Sequence, residues 1–216
     1  MSQAHGKDRQ QSPTQHLATR QESARQAFVN KLAAEFQQLT AEGVVSSGNV
    51  ISSLMLIKGE LSEAERAGAE LLSGADGVAL RAAFDRLGYA PENLVAVSAL
   101  NAQGNPLPSD VLRRTVAAIS PTTLVLCDEV AATAIRHAYA AELASEQTSE
   151  QMSSQIPQVT QTTEQTSQTL GAGQLIYLLG MRVLNLGGFE ASLASEDTKQ
   201  RSWRYLKKIP QLAEPY

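Results

Sequence analysis

Leu54-Met55-Leu56-Ile57 is the first of several short runs in this chain that are apolar without interruption. Two more follow at Leu94-Val95-Ala96-Val97 and at Leu124-Val125-Leu126. A strand without alternation of polar and apolar residues is typical of a parallel sheet, where both faces of each strand are covered. Segments with apolar residues at helical spacing separate the runs, as residues 109–119 do between the second and the third. The pattern predicts an α/β fold in which strands alternate with helices.

A fourth strand is predicted near Val183, within the segment 173–189. Apolar residues on both sides of Gly180 predict two short strands joined by a turn. A corner at Gly187-Gly188 follows, and then a basic helix that carries Trp203. Together with the earlier runs, this segment predicts a three-layer αβα sandwich with a mainly parallel sheet of about four strands, plus an N-terminal helix.

The N-terminal part of the chain changes in composition near residue 20. Residues 1–20 are rich in Gln, Ser and Thr and lack periodicity, which predicts a disordered polar tail. Residues 21–216 are expected to form one α/β domain. The domain opens with an amphipathic helix whose apolar stripe must pack on its body. The stripe consists of Ala24, Phe28, Leu32, Phe36 and Leu39.

The segment 146–171 is dominated by Gln, Ser and Thr. Its apolar surface is too small to offset the entropy lost on ordering, so a solvated loop or linker is predicted. A boundary between two domains is one interpretation of so long a loop. We favour an insertion within one domain, because the segment after it supplies only strands and one helix, too little for a core of its own.

Charge and cysteine content exclude several functional classes. The formal net charge is −4 at pH 7, so binding to nucleic acid requires a local basic patch. Cys127 is the only cysteine, which excludes an intrachain disulfide and an iron–sulfur cluster ligated by cysteines of one chain. No apolar run has the length of a membrane span, and residues 1–21 do not have the pattern of a secretory signal. We therefore expect a cytoplasmic protein that uses no membrane, metal or cofactor.

The C-terminal segment resembles the last part of the uracil-DNA glycosylase superfamily, in its compact αβα form. The residues that carry the resemblance follow the Gly180 turn, where Lys199, Trp203, Leu206 and Lys207 have the spacing of the family's closing helix. In the family, the corner before this helix is a His-Pro pair whose histidine serves the flipped-out base. The corner in this chain is Gly187-Gly188. The resemblance covers residues 50–209 and implies a fold whose catalytic motifs are degenerate.

Two further motifs are similar to those of the family, with departures. Leu56-Ile57-Lys58-Gly59-Glu60 matches the first motif, a strand that ends in Gly-Glu, but Leu61-Ser62-Glu63 stands where Pro and Gly are expected. Ser98 replaces the asparagine that follows the second motif's strand. The aromatic residue that stacks on uracil would lie near Leu71, and none stands there.

The resemblance assigns candidate roles by position. Glu60 is the candidate catalytic carboxylate for water activation, and Ser98 is the second candidate catalytic residue. Gly59, Gly187 and Gly188 are the candidate ligand-binding residues, and the backbone amides of Gly187-Gly188 are predicted to form a nest for phosphate. The candidate phosphate contacts are Lys199, Arg201, Arg204 and Lys207.

Each candidate also has a structural interpretation. Glu60 is equally placed as an exposed loop residue, and Gly187-Gly188 as a turn that needs positive φ. The basic residues of the last helix form a solvated face in the alternative view. Trp203 either stacks on bases or anchors the last helix in the core, and the thiol of Cys127 is read as a small core hydrophobe.

The sequence therefore predicts a non-catalytic domain of the uracil-DNA glycosylase type that acts as a binding or regulatory module, with DNA or a protein as its partner. Two alternatives remain. One is a divergent DNA glycosylase of base-excision repair, which hydrolyses an N-glycosidic bond with Glu60. The other is a protein that binds a nucleotide or another small molecule.

Overall fold

The computed structural model describes residues 13–90, 92–145 and 170–210. The N-terminal half contains α1 (Pro13–Ala41), β1 (Ser46–Gly48), β2 (Leu54–Lys58), α2 (Glu63–Arg66), α3 (Ala75–Arg86) and β3 (Val95–Ser98). The C-terminal half contains α4 (Ser109–Ile119), β4 (Thr123–Leu126), α5 (Glu129–Ala138), β5 (Leu175–Leu178), β6 (Met181–Asn185), α6 (Phe189–Ser192) and α7 (Glu196–Leu206).

The strands form one mixed sheet in the order β1-β3-β2-β4-β6-β5. The four central strands, which contain the apolar runs and Val183, are parallel to one another. The edge strands β1 and β5 are antiparallel to their neighbours. The predicted α/β class is confirmed, but the sheet is mixed and has six strands, so the prediction of a mainly parallel sheet of about four strands is wrong. Residues 46–48 of β1 are too short and polar for their sequence to indicate a strand, and β5 belongs to the predicted Gly180 hairpin.

The core lies on both faces of the sheet, which explains the uninterrupted apolar runs. In β2, Met55 and Ile57 contribute to one cluster together with residues of α1, α4 and α5. Leu54 and Leu56 contribute to the other cluster, with residues of α3, α6 and α7. Every side chain of the strand therefore leaves water, and a polar residue on either face would lose its hydration.

Helix α1 is longer than predicted and packs through only part of its length. It begins at Pro13, so residues 13–20 of the predicted tail are helical. Leu32 and Phe36 are buried as expected, whereas Phe28 is 56% exposed, contrary to prediction. Residues 22–28 are all exposed, and the first buried side chain of α1 among the described ones is Leu32.

Two predicted segments lie largely outside the described residues. These are residues 1–12 of the predicted tail and residues 146–169 of the predicted loop or linker. Within residues 13–90, 92–145 and 170–210, no helix combines the length and the apolar character needed to cross a membrane.

Candidate functional site

The candidate residues lie where the parallel strands end. Lys58 closes β2 and precedes Gly59, Ser98 closes β3, Asp128 follows β4, and Asn185 closes β6. The chain leaves the neighbouring strands β2 and β4 towards opposite faces of the sheet, to α3 and α5 respectively. Such a divergence at the carboxyl edge is where open α/β sheets hold their ligands. The candidate site therefore lies at this edge of the sheet.

The carboxylate of Asp128 occupies the centre of the edge. One oxygen, Oδ2, accepts hydrogen bonds from the backbone N–H groups of Gly59 at 2.8 Å and Glu60 at 2.9 Å. The other, Oδ1, accepts from the Ala131 N–H at 2.8 Å and so caps α5. Asp128 also pairs with Gly188 in an isolated β-bridge. The fold thus gathers three predicted site residues, Gly59, Glu60 and Gly188, around one buried carboxylate that was not predicted as part of the site.

Gly59 is required by packing at this point. A Cβ atom added to it would lie 2.5 Å from the Val130 Cβ and 2.8 Å from the Ala131 nitrogen. The first turn of α5 therefore approaches the end of β2 as closely as backbone allows. Gly59 was predicted to bind a ligand, and in the structure its N–H donates to Asp128.

Lys58 is buried beside the same edge with three carboxylates around its ammonium group. Its Nζ lies 2.6 Å from Asp76, 2.8 Å from Glu65 and 3.3 Å from Glu190. The side chains of Lys58 and Glu65 are only 3% and 1% exposed, whereas Glu190 is 54% exposed. Lys58 was not predicted as a site residue, although a charged residue at the end of an uninterrupted apolar strand indicates a buried charge that needs a partner.

The ion cluster shifts both of its central groups towards their charged forms. Burial alone would lower the pKa of Lys58, but its hydrogen bonds to Asp76 and Glu65 raise it above the usual value. Burial alone would raise the pKa of Glu65, but hydrogen bonds from Lys58, Ser62 and the Leu72 N–H lower it. Glu65 and Ser62 also form a capping box at the start of α2.

The two candidate catalytic residues are in different environments. The Glu60 side chain is exposed, whereas Ser98 is fully buried and its hydroxyl oxygen accepts a hydrogen bond from the Leu100 N–H at 3.0 Å. In the described part of the chain, no hydrogen bond links these two side chains. The structure therefore does not assemble Glu60 and Ser98 into one polar group.

The glycine corner after β6 is a turn with an internal acceptor. Gly187 has a φ of +80°, and its N–H donates to the Asn185 Oδ1 at 2.8 Å. The Asn185 amide is buried and donates in turn to the Leu170 carbonyl at 2.6 Å. These contacts favour the interpretation of Gly187 as a turn that needs positive φ over that of an open amide nest.

The basic residues of α7 are separate from the strand ends in their contacts. Lys199, Arg201, Arg204 and Lys207 are all exposed. Ser202 and Leu206 form the buried side of the helix, and Trp203 is partly buried against the core. Trp203 therefore has the anchoring role that was the structural alternative, and the cations remain accessible for phosphate or carboxylate groups.

A cavity of about 380 Å³ lies beside the carboxyl edge, between the loop after β3 and α5. Leu100, Leu107, Val130 and His137 are among its lining residues, but none of the candidate residues Glu60, Ser98, Gly187 and Gly188 is. Cys127 is buried in the core cluster on the other face of the sheet, and burial raises the pKa of its thiol, consistent with a core residue.

Neither the protein-family models nor the curated proteins contain a match to this chain. Among the described residues, no group of three or more His, Cys, Asp and Glu side chains is arranged to hold a metal ion. The chemistry of the site is therefore inferred from the distances and hydrogen bonds of its own residues.

Proposed function

We propose that this protein is a non-catalytic domain of the uracil-DNA glycosylase type that acts as a binding or regulatory module. The observation that carries the proposal is the carboxylate of Asp128, which accepts the Gly59 and Glu60 amides at the centre of the strand edge. A fixed negative charge at this position opposes the approach of a phosphate or of a departing base anion.

Other hydrogen-bond donors at this edge of the sheet also have acceptors within the protein. Base excision requires an extruded nucleotide to be gripped and its leaving base stabilised by donors that are free to face it. The N–H of Gly187 donates to Asn185, and the ammonium group of Lys58 donates to Glu65 and Asp76. These two donors thus already have acceptors within the protein.

The accessible charge lies on α7, which supports a role in binding. Lys199, Arg201, Arg204 and Lys207 are exposed cations of one helix on a protein whose net charge is −4, and Lys199 lies 3.9 Å from Glu196. A local basic surface of this kind suits DNA phosphates or an acidic segment of a protein. A cytoplasmic location is part of the proposal.

A uracil-release assay on single- and double-stranded DNA tests the absence of catalysis. We expect release no faster than in buffer, because each missing polar group of such a site contributes roughly 3 kcal/mol to transition-state stabilisation. Release that Glu60→Gln abolishes, while the exposed control Glu63→Gln preserves it, would overturn the proposal in favour of a divergent glycosylase.

Fluorescence anisotropy with a labelled single-stranded oligonucleotide tests the binding role. We expect weak binding that falls steeply with added salt, since counterions are released from each neutralised phosphate. Replacing Lys199, Arg201, Arg204 and Lys207 by Gln should remove it, and replacing four exposed cations elsewhere, Arg20, Arg25, Lys31 and Arg66, should not. Equal losses of affinity in the two quadruple variants would contradict a specific role for α7 and would indicate non-specific charge attraction.

A further inference from the structure

A second cavity, of about 390 Å³, lies away from the strand ends, between α3 and the β1–β3 edge of the sheet. Its floor is apolar and includes Leu56, Leu80, Leu94 and Ala96. The volume falls in the range of small-molecule sites, which are mostly apolar and contain a few placed polar groups. The cavity involves none of the residues in the proposed function.

Arg81 of α3 supplies the charged group of this cavity. One guanidinium nitrogen donates to the Leu72 carbonyl at 2.8 Å, which leaves the other donors of the group available. Within the described residues, Arg81 forms no ion pair, and the exposed Glu92 at the cavity is not within ion-pair distance of it. An apolar cavity with an unpaired guanidinium group matches a ligand that has an apolar body and one anionic end.

The wall of the cavity beside Arg81 is held in one conformation. Leu72 is buried in the left-handed region, with a φ of 57°. Its N–H donates to Glu65 at 2.6 Å, and its carbonyl packs so closely on Gly77 that a Cβ atom there would lie 1.6 Å from the oxygen. A non-glycine residue with a positive φ is strained and persists only where contacts with its surroundings stabilise it. The conformation of this wall is therefore fixed before a ligand binds.

We propose that this cavity binds a small organic acid, whose carboxylate pairs with Arg81 and whose apolar chain lies on Leu56, Leu80 and Leu94. A planar guanidinium group binds a carboxylate through two parallel hydrogen bonds, which favours an acid over a neutral molecule of the same shape. The size of the cavity limits the ligand to a small molecule.

Titration of the full chain with octanoate, followed by the NMR signals of leucine methyl groups, tests the proposal, and octanamide serves as the neutral control ligand. We expect octanoate to bind at least about tenfold more tightly than octanamide and to shift the methyl signals of Leu56, Leu80 and Leu94. Arg81→Gln should remove this preference. Arg86→Gln, which removes the same charge from an exposed position of α3, should retain it.

A second variant tests the cavity itself and does not depend on the contact between Arg81 and Leu72. Ala96→Val adds methyl groups to the floor and should weaken both ligands at least about tenfold, while circular dichroism shows the fold retained. Equal affinity of the wild-type protein for octanoate and octanamide would overturn the proposal. Shifts confined to another surface would overturn it as well, as would an equal loss of preference in Arg86→Gln.

Discussion

Lys58 is the residue on which the candidate site depends most for its stability. Its ammonium group connects the end of β2 to Glu65 of α2, Asp76 of α3 and Glu190 of α6. Two of these carboxylates are almost completely removed from water, so each needs the positive charge to offset its lost hydration. The cluster therefore joins separate elements by one shared charge.

Replacement of Lys58 by Met should destabilise the protein by about 3–5 kcal/mol, because it leaves the carboxylates of Glu65 and Asp76 buried without a partner. Urea unfolding monitored by circular dichroism measures this change. Lys199→Met, on the exposed face of α7, is the matched control and should change the free energy of unfolding by less than about 0.5 kcal/mol. Equal midpoints for the two variants would show that the buried cluster does not stabilise the fold.

At the scale of elements, α1 is the helix whose two halves have different surroundings. Its C-terminal half packs on α4 through Leu32, Phe36 and Leu39, and Glu42 at its end forms an ion pair with Arg114 of α4. The preceding turns, which include Phe28, are exposed. Among the side chains that the structure describes, those that pack α1 against the domain lie in its C-terminal half.

Two alanine substitutions in α1 should separate these halves. Phe36→Ala should cost about 3–5 kcal/mol of unfolding free energy, because it leaves a cavity in the core between α1 and α4. Phe28→Ala, two turns earlier on the same helix, should cost less than about 1 kcal/mol, because its ring is 56% exposed. Chemical denaturation of both variants provides the measurement. A large loss for Phe28→Ala would indicate that the exposed half of α1 is covered in solution.

At the scale of the whole molecule, the ion cluster makes stability depend on pH at both ends of the range. The pKa of Glu65 is below its usual value of 4.5, so its contribution is present above that value and is lost as the pH falls through the folded pKa. The pKa of Lys58 is above its usual value of 10.5, so its contribution is present below that value and is lost as the pH rises further. Between these limits the cluster contributes a constant stabilisation.

Glu65→Gln should therefore be less stable than the wild-type protein near neutral pH, and this difference should shrink as the pH falls below about 4. The free energy of unfolding, measured by urea denaturation from pH 3 to pH 8, gives the comparison. Glu63→Gln, an exposed neighbour on α2, should follow the wild-type curve throughout. A difference between Glu65→Gln and the wild-type protein that stays constant across this range would contradict the role assigned to the Glu65 charge.

The sequence alone was sufficient for features that depend on local pattern. Uninterrupted apolar runs such as Leu54–Ile57 predicted the central strands, because burial on both faces removes every polar position. The Gly187-Gly188 pair predicted a turn with positive φ, which Gly187 adopts. Each of these is set by residues within a few positions of one another. Strand β1 was not predicted, because its three residues pair with β3 without any apolar pattern of their own.

Only the tertiary structure determined which distant groups contact the residues at the strand ends. Asp128 accepts the N–H of Gly59 from a position 69 residues later in the chain, and Lys58 meets Asp76 only because α3 folds back over the sheet. A sequence pattern reports whether a residue is buried, but not which distant donor or acceptor shares its surroundings. Because the order of the strands brings β2 beside β4, the Asp128 carboxylate accepts the backbone N–H groups of Gly59 and Glu60, two residues of the predicted site.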